Sequence, residues 1–398
     1  MKKQITILIF LLFNCLFAWT QKLVKTTIPC NDSTAQNAKG RWIKSTDLGS
    51  VNSKECYNRL DAIHDLILKI YAEPKGVDVA WHRAAGVSYF GSKRKYYTTN
   101  DGRPTFDYLS TPHFLQYSYT AGVFRYWCDA YEKNILHPGH PSETGTWLNI
   151  IANKNISEPG SGDDWTINGL PVITKKQAEY KEDGYEMMYA EPGQDVRSVL
   201  VYRKGVLPYK PVTRKQYLDQ CIIYHTKIWD EAISGIEQMP VRSAQEQEKE
   251  KKDKLDKFHK QFGNDPKRLK SAVDYYLSGY QTDQQQRDEK IRNAKKNKEA
   301  ELKKFSDELE KTTREGLLDS PAMVRVMYYS TPVFETDPAY GLMLIIENPD
   351  YIRKDLPKHV PQLFEINLVW DEWVPQEKFA KIFQEKFPTD KLQAMIDK

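Results

Sequence analysis

Beyond its first twenty residues the chain has no apolar run that approaches the length of a membrane-spanning helix. That excludes a polytopic helical membrane protein. Catalytic signatures are missing too: there is no G-x-S-x-G nucleophile elbow, no H-E-x-x-H, no P-loop and no dinucleotide fingerprint. No cofactor is therefore expected. Cysteine is scarce, at five in 398 residues, and none stands in a C-x-x-C, which removes the thiol-redox and zinc-knuckle readings. Charge of one sign is lacking as well. The formal balance is +4 with 28% of residues charged, without the concentrated basic face of a nucleic-acid binder. No heptad is sustained long enough for an extended coiled coil.

What is present begins with an export signal. Lys2 and Lys3 form a short positive region, Ile5 to Phe17 is almost continuously apolar, and Ala18 to Gln21 supplies a cleavage zone of small and polar residues. Residues 1–20 are thus expected to be a signal peptide, and the mature protein to be periplasmic or extracellular, with no transmembrane span. Cys15 lies in the leader behind Leu12, Phe13 and Asn14, which is not the small-residue context of a lipid attachment site. Four cysteines remain: Cys30, Cys56, Cys128 and Cys221. An even count in an oxidising compartment permits two disulfides in three connectivities, and at least one is expected; buried free thiols are the alternative. Aromatics are plentiful, with 24 Tyr, 15 Phe and 9 Trp, which argues against disorder.

Along the chain, Ser53 to Tyr71 has the spacing of a helix with one buried face (Cys56, Leu60, Ile63, Ile67, Ile70) and Ser53 as N-cap. From Val77 to Lys204 short runs rich in Val, Tyr, Trp and Thr alternate with turn residues, the texture of antiparallel strands. The predicted strands are 77–82, 114–131, 146–152, 185–190 and 196–202, with a loop at 159–164. Two prolines, Pro208 and Pro211, then lead to Thr213-x-x-Gln216, the spacing of a capping box, flanked by Val212 and Tyr217 as a hydrophobic staple. The helix that follows stops near Met239-Pro240. Residues 246–260 and a long helix from Pro266 to about Glu315 are charged, with narrow apolar stripes. Strands return at 323–329, 340–347 and 362–370, followed by helices at 376–387 and 390–396. The expected fold class is α+β: antiparallel sheet or sheets with flanking helices and an inserted charged helical hairpin or arm. Its parts are an α+β domain at 21–240, a charged helical segment at 241–318, and a small α+β unit at 319–398 that either stands alone or completes the first sheet.

Candidate chemistry is sparse. His137 and His140 form the only close histidine pair, two imidazoles that can chelate a metal only with further ligands. Glu143, Asp163 and Asp164 are candidate catalytic carboxylates, with Trp147 and Trp165 as indole platforms of the kind that stack on sugar rings. Tyr209 and Arg214, beside the capping box, are candidate binding groups. Asp32-Ser33-Thr34 matches a short O-glycosylation pattern of some gram-negative envelopes, and Asn155-Ile156-Ser157 fits the N-x-[ST] acceptor.

Several short segments carry a resemblance: Gly40-Arg41-Trp42, Glu73-Pro74-Lys75-Gly76, Leu207-Pro208-Tyr209, Pro211-Val212-Thr213-Arg214, Asp355-Leu356-Pro357-Lys358 and Phe387-Pro388-Thr389-Asp390-Lys391-Leu392. Through them the chain resembles a group of exported gram-negative proteins that has no assigned activity. The resemblance implies export and a shared scaffold. The functional expectation is a non-catalytic exported protein that binds an envelope component, a glycan or another protein. The alternatives are a secreted hydrolase of glycans or peptides and a scaffold that self-assembles through its helical segment.

Overall fold

The computed structural model describes residues 24–25, 30–98, 104–109, 113–128, 135–139, 145–156, 166–176, 178–189, 196–325, 333–337 and 340–398. The leader, His140, Glu143, Asp163, Asp164 and Trp165 lie outside them. In chain order the elements are β1 (Val24–Lys25), α1 (Asp32–Asn37), β2 (Trp42–Lys44), β3 (Leu48–Gly49), α2 (Lys54–Ile70), β4 (Val77–Ser88), β5 (Arg94–Thr98), β6 (Pro104–Tyr108), β7 (Phe114–Cys128), β8 (Ile135–Pro138) and β9 (Trp147–Ala152). Next come β10 (Thr166–Ile167), β11 (Leu170–Lys176), β12 (Tyr180–Glu182), β13 (Tyr185–Tyr189), β14 (Val196–Tyr202) and β15 (Tyr209–Pro211). Helices α3 (Arg214–Glu237), α4 (Ala244–Phe262), α5 (Pro266–Gly279) and α6 (Asp283–Arg314) follow. The chain continues through β16 (Met323–Val324), β17 (Leu342–Glu347), β18 (Leu363–Val369), α7 (Val374–Lys386) and α8 (Thr389–Met395). The fold is α+β, and it divides into two compact units, residues 1–212 with 336–398, and residues 213–335.

The first unit is built on a large sheet in the order β12-β13-β14-β18-β9-β7-β4, with β2 and β3 pairing in parallel along β4 and every other contact antiparallel. One face is apolar because alternate residues of each strand point to it: Val79, Tyr119, Leu148, Ile150, Phe364 and Ile366. Helix α2 covers it with Leu60, Ile63 and Ile67, and α7 and α8 cover it with Phe379, Phe383 and Leu392. A smaller sheet, β10-β11-β17-β15, contributes Tyr209 and Ile345 to a second cluster with Leu200, Tyr202, Tyr351 and Leu363. Strand β18 lies between β9 and β14 and so joins the large sheet, whereas β17 joins the smaller one.

Two of the segments that carry the resemblance meet in one junction. The Gly40 amide donates to the Pro74 carbonyl (2.9 Å) and the Gly76 amide to the Ala38 carbonyl (2.8 Å). A Cβ on Gly40 would fall 1.7 Å from the Val77 carbonyl oxygen, so only glycine fits there. Arg41 donates to the buried carboxylate of Asp78 (Nη2 to Oδ2, 2.6 Å), which also accepts from the Tyr126 hydroxyl (2.6 Å). These residues close the start of the sheet upon itself. Cys30 and Cys128 form a disulfide with Cα atoms 5.6 Å apart, tying the residues before α1 to the end of β7. Cys56 and Cys221 are buried thiols.

The second unit is helical. Thr213 and Gln216 form the reciprocal capping box that the sequence predicts: the Gln216 amide donates to Thr213 Oγ1 (3.1 Å) and the Thr213 amide to Gln216 Oε1 (2.9 Å). Replacing Thr213 with alanine should therefore cost about 1 kcal/mol in a denaturant melt, and serine, which keeps the oxygen, should be near neutral. A Thr213→Ala melt that superimposes on wild type would show that the cap adds nothing to stability. Helix α3 groups with this unit, against the expectation that the first domain runs to residue 240. The reason is its buried face (Tyr217, Leu218, Cys221, Ile233), which packs along α6; His225 stacks on Phe305 at 4.8 Å. Burial pushes the Cys221 thiol up to about 12. The single helix predicted from Pro266 to Glu315 is in fact two. Thr282 and Gln285 form a capping box that starts α6 (Thr282 amide to Gln285 Oε1, 2.9 Å; Gln285 amide to Thr282 Oγ1, 3.2 Å), and the T-x-x-Q signal is present in the sequence.

Candidate functional site

The second face of the large sheet differs from the first. Its rim is apolar, with Leu200, Tyr202 and Leu363 at one end and Phe124 with Trp147 at the other. Between them the strands carry polar side chains at the positions that alternate with the core residues: Ser118 and Thr120 on β7, Asn149 on β9, Glu365 and Asn367 on β18, and Ser198 on β14. The pairing register aligns five of the polar residues on this face into one row. His82 lies opposite Thr120, Thr120 opposite Asn149, Asn149 opposite Asn367, and Asn367 opposite Ser198. Four interstrand steps of about 4.8 Å make the row about 19 Å long.

The side chains of His82, Ser118, Thr120, Asn149 and Ser198 make no hydrogen bond with the described residues, and His82 is only 6% exposed. Thr120, Asn149, Asn367 and Ser198 are half-buried and so within reach of solvent, which sets this row apart from the fully buried carboxylates of Asp78 and Glu186. Burial holds the His82 imidazole below its ordinary pKa, against the opposing pull of Asp47, so it is neutral at pH 7. Beside the row, Asn367 Nδ2 donates to Glu365 Oε1 (2.6 Å), which also pairs with the Lys154 ammonium (2.9 Å). Two residues along on the same face, Trp147 lies opposite Gly122; a Cβ on Gly122 would come within 2.8 Å of the indole ring, so the missing side chain is what lets the ring sit there. With Ala80 and Ala84 on β4, Gly122 keeps the floor around the row low.

The other predicted site residues fare differently. Trp147 is the one that the structure places on this face. Tyr209 is buried at 2% exposure, and its hydroxyl donates to Glu186 Oε1 (2.5 Å). Glu186, with no exposure at all, pairs there with Lys181 (2.5 Å) and through Oε2 with Lys175 (2.9 Å). Tyr209 is thus a pin between the two sheets of the first unit. Arg214 belongs to the helical unit, with its guanidinium 4.6 Å over the Phe334 ring. His137 stacks across strands on Trp127 at 4.7 Å. Among the described residues no three His, Cys, Asp or Glu side chains gather as a metal site.

The sequence reading missed His82, Thr120, Asn149, Asn367 and Ser198. The signal was available as strict alternation: Tyr117-Ser118-Tyr119-Thr120-Ala121, Leu148-Asn149-Ile150 and Phe364-Glu365-Ile366-Asn367-Leu368. The row itself depends on register, which the sequence does not display.

On the apolar side of the sheet, at its β12 edge, a cleft of about 370 Å³ is lined by Tyr180, Glu182, Asp183, Tyr185, Lys204 and Asp390 among others. Its polar groups are turned partly inward: the Gly205 amide donates to Asp183 Oδ1 (2.7 Å), and Gln393 Nε2 to the Gly184 carbonyl (3.2 Å). Comparison with protein-family models, with curated proteins and with solved structures finds no match in any of the three.

Proposed function

We propose that this is an exported protein that binds an envelope component, without catalysing its turnover, on the polar face of the large sheet. The observation that carries the reading is the register that gathers His82, Thr120, Asn149, Asn367 and Ser198 into one row of uncharged polar side chains across five strands, its Thr, Asn and Ser members half-buried. Export is supported by the leader-like first twenty residues, by the resemblance to exported gram-negative proteins, and by the Cys30–Cys128 disulfide, which suits an oxidising compartment. Among the described residues no helix is long and apolar enough to cross a membrane.

The test combines fractionation with sedimentation. The protein should be recovered outside the cytoplasm with Met1 removed, and should cosediment with purified envelope fragments without releasing reducing sugars or free amino groups from them. The variant Thr120→Val/Asn149→Ala should melt like wild type and remain in the supernatant. Cytoplasmic recovery with Met1 intact overturns export. Steady release of soluble products overturns the non-catalytic reading and favours the hydrolase.

A further inference from the structure

Given the binding face proposed for the large sheet, on which the ligand assignment rests, the chemistry of the row narrows the ligand class. We infer that the row His82–Thr120–Asn149–Asn367–Ser198, with Trp147 at its flank, is a binding site for an uncharged glycan chain.

Charge comes first. None of the five side chains in the row is ionised at neutral pH: two are carboxamides, two are hydroxyls, and the fifth is an imidazole that its surroundings keep neutral. The charged groups that border it are each paired. Glu365 is paired with Lys154 at 2.9 Å. Asp78, on β4 at the His82 end, is held by Arg41 and Tyr126. Glu186, on β13 towards the Ser198 end, is held by Lys175 and Lys181. An anionic ligand would look for an unpaired Arg or Lys here, and a cationic one for an unpaired carboxylate. The row offers neither, and burying either ligand charge against it would go uncompensated.

Donor and acceptor character comes next. Carboxamides, hydroxyls and a neutral imidazole each donate and accept. Sugar hydroxyls do both as well, so a line of such groups matches a line of hydroxyls without fixing the sense of each bond. The position in the sheet matters too. The row crosses the central strands, whose backbone groups are already paired with one another, so an extended peptide has no free ladder to join. Recognition must come from side chains alone. A span of about 19 Å across five strands suits several linked sugar rings better than a single small molecule. Trp147, beside the row over Gly122, supplies the flat apolar surface that the C–H face of a pyranose needs.

The experiment uses the full mature protein and a panel of defined oligomers. Neutral cello-, malto-, laminari-, manno- and chito-oligosaccharides of two to six units are compared by calorimetry with oligogalacturonates and with uncharged peptides. A neutral oligosaccharide series should bind, with affinity rising with length until the row is filled. Thr120→Val, which preserves shape, and Asn149→Ala should each weaken it about tenfold, the size of one lost hydrogen-bonding partner. Trp147→Ala should weaken it at least as much. Melting curves superimposable on wild type for Thr120→Val separate lost binding from lost fold. If acidic oligomers or peptides bind, the neutral ones do not, and Thr120→Val abolishes that binding, the ligand class is wrong and the face stands. If neutral oligosaccharides bind equally well to all three variants, the face itself is wrong. If no neutral oligosaccharide binds, the inference is overturned.

Discussion

Removing the Cys30–Cys128 disulfide is expected to destabilise the first unit by about 4 to 5 kcal/mol. The bridge closes a sequence separation of 98 residues, and chain-entropy arguments give about 4.7 kcal/mol for a loop of about that length. The effect acts largely on the unfolded chain, which the bridge deprives of conformations. A native-state share adds to it. Cys30 and Cys128 pack against the small cluster of Ala35, Tyr126 and Leu136 that seats α1, so the covalent link reinforces a small apolar contact. The measurement is a pair of urea melts, oxidised wild type against Cys30→Ser/Cys128→Ser. Dithiothreitol should lower the stability of wild type to that of the variant and leave the variant unchanged. A variant within about 1 kcal/mol of oxidised wild type would show that the loop is already restrained in the unfolded state.

The second large effect is expected at Glu186. Its carboxylate has no exposure and holds Lys175, whose side chain is 6% exposed, as well as Lys181 and the Tyr209 hydroxyl. Glu186→Gln would leave the Lys175 ammonium buried without its counter-charge, and breaking one side of a buried pair costs about 3 to 5 kcal/mol. Lys175→Met should cost less, because Glu186 keeps the Lys181 ammonium and the Tyr209 hydroxyl as partners. The double variant Lys175→Met/Glu186→Leu should recover most of the loss, because apolar groups of similar volume can replace a buried pair at little cost. If the double variant is as unstable as either single one, the pair is not the cause.

The same cluster sets an acid dependence. Burial pushes the Glu186 carboxyl upward, but the Lys175 charge and the hydrogen bonds from Lys181 and Tyr209 outweigh it and hold the group below the ordinary glutamate range. A carboxylate with a depressed folded pKa stabilises the fold above its unfolded pKa of about 4.3 and loses that contribution as the pH falls through the folded value. The gap between wild type and Glu186→Gln should therefore be full at neutral pH and shrink in acid.

The local signals in this sequence are explicit, and the structure follows them closely. Ser53 caps α2, Thr213 and Gln216 cap α3, and the apolar spacing of Leu60, Ile63 and Ile67 marks the face that is buried. Elements whose order depends on partners distant in sequence were not legible. The β5–β6 hairpin and β11 lack a sustained alternation of their own, and the pairing of β18 with β9 and β14 joins residues from opposite sides of the helical unit. The candidate site has the same character. Each of its residues is an ordinary polar position on a half-apolar strand, and only the register turns five of them into a row. Tyr209 shows the reverse case: a residue made conspicuous by its prolines proves to be a buried pin.

The position of β18 also bears on how the chain reaches this state. Ile366 stands beside Ile150 on one side and Val199 on the other, yet it is made only after the whole helical unit. During synthesis β9 and β14 each present an unpaired edge for as long as the intervening residues take to emerge, and such edges invite pairing with other chains. The polar row is then split in two, because Asn367 is its fourth member. The sheet is complete only once these late, non-local contacts form, so folding is expected to be slow for the size of the unit. Loss of the last few dozen residues would open the sheet at its centre, removing the binding face together with the core beneath it.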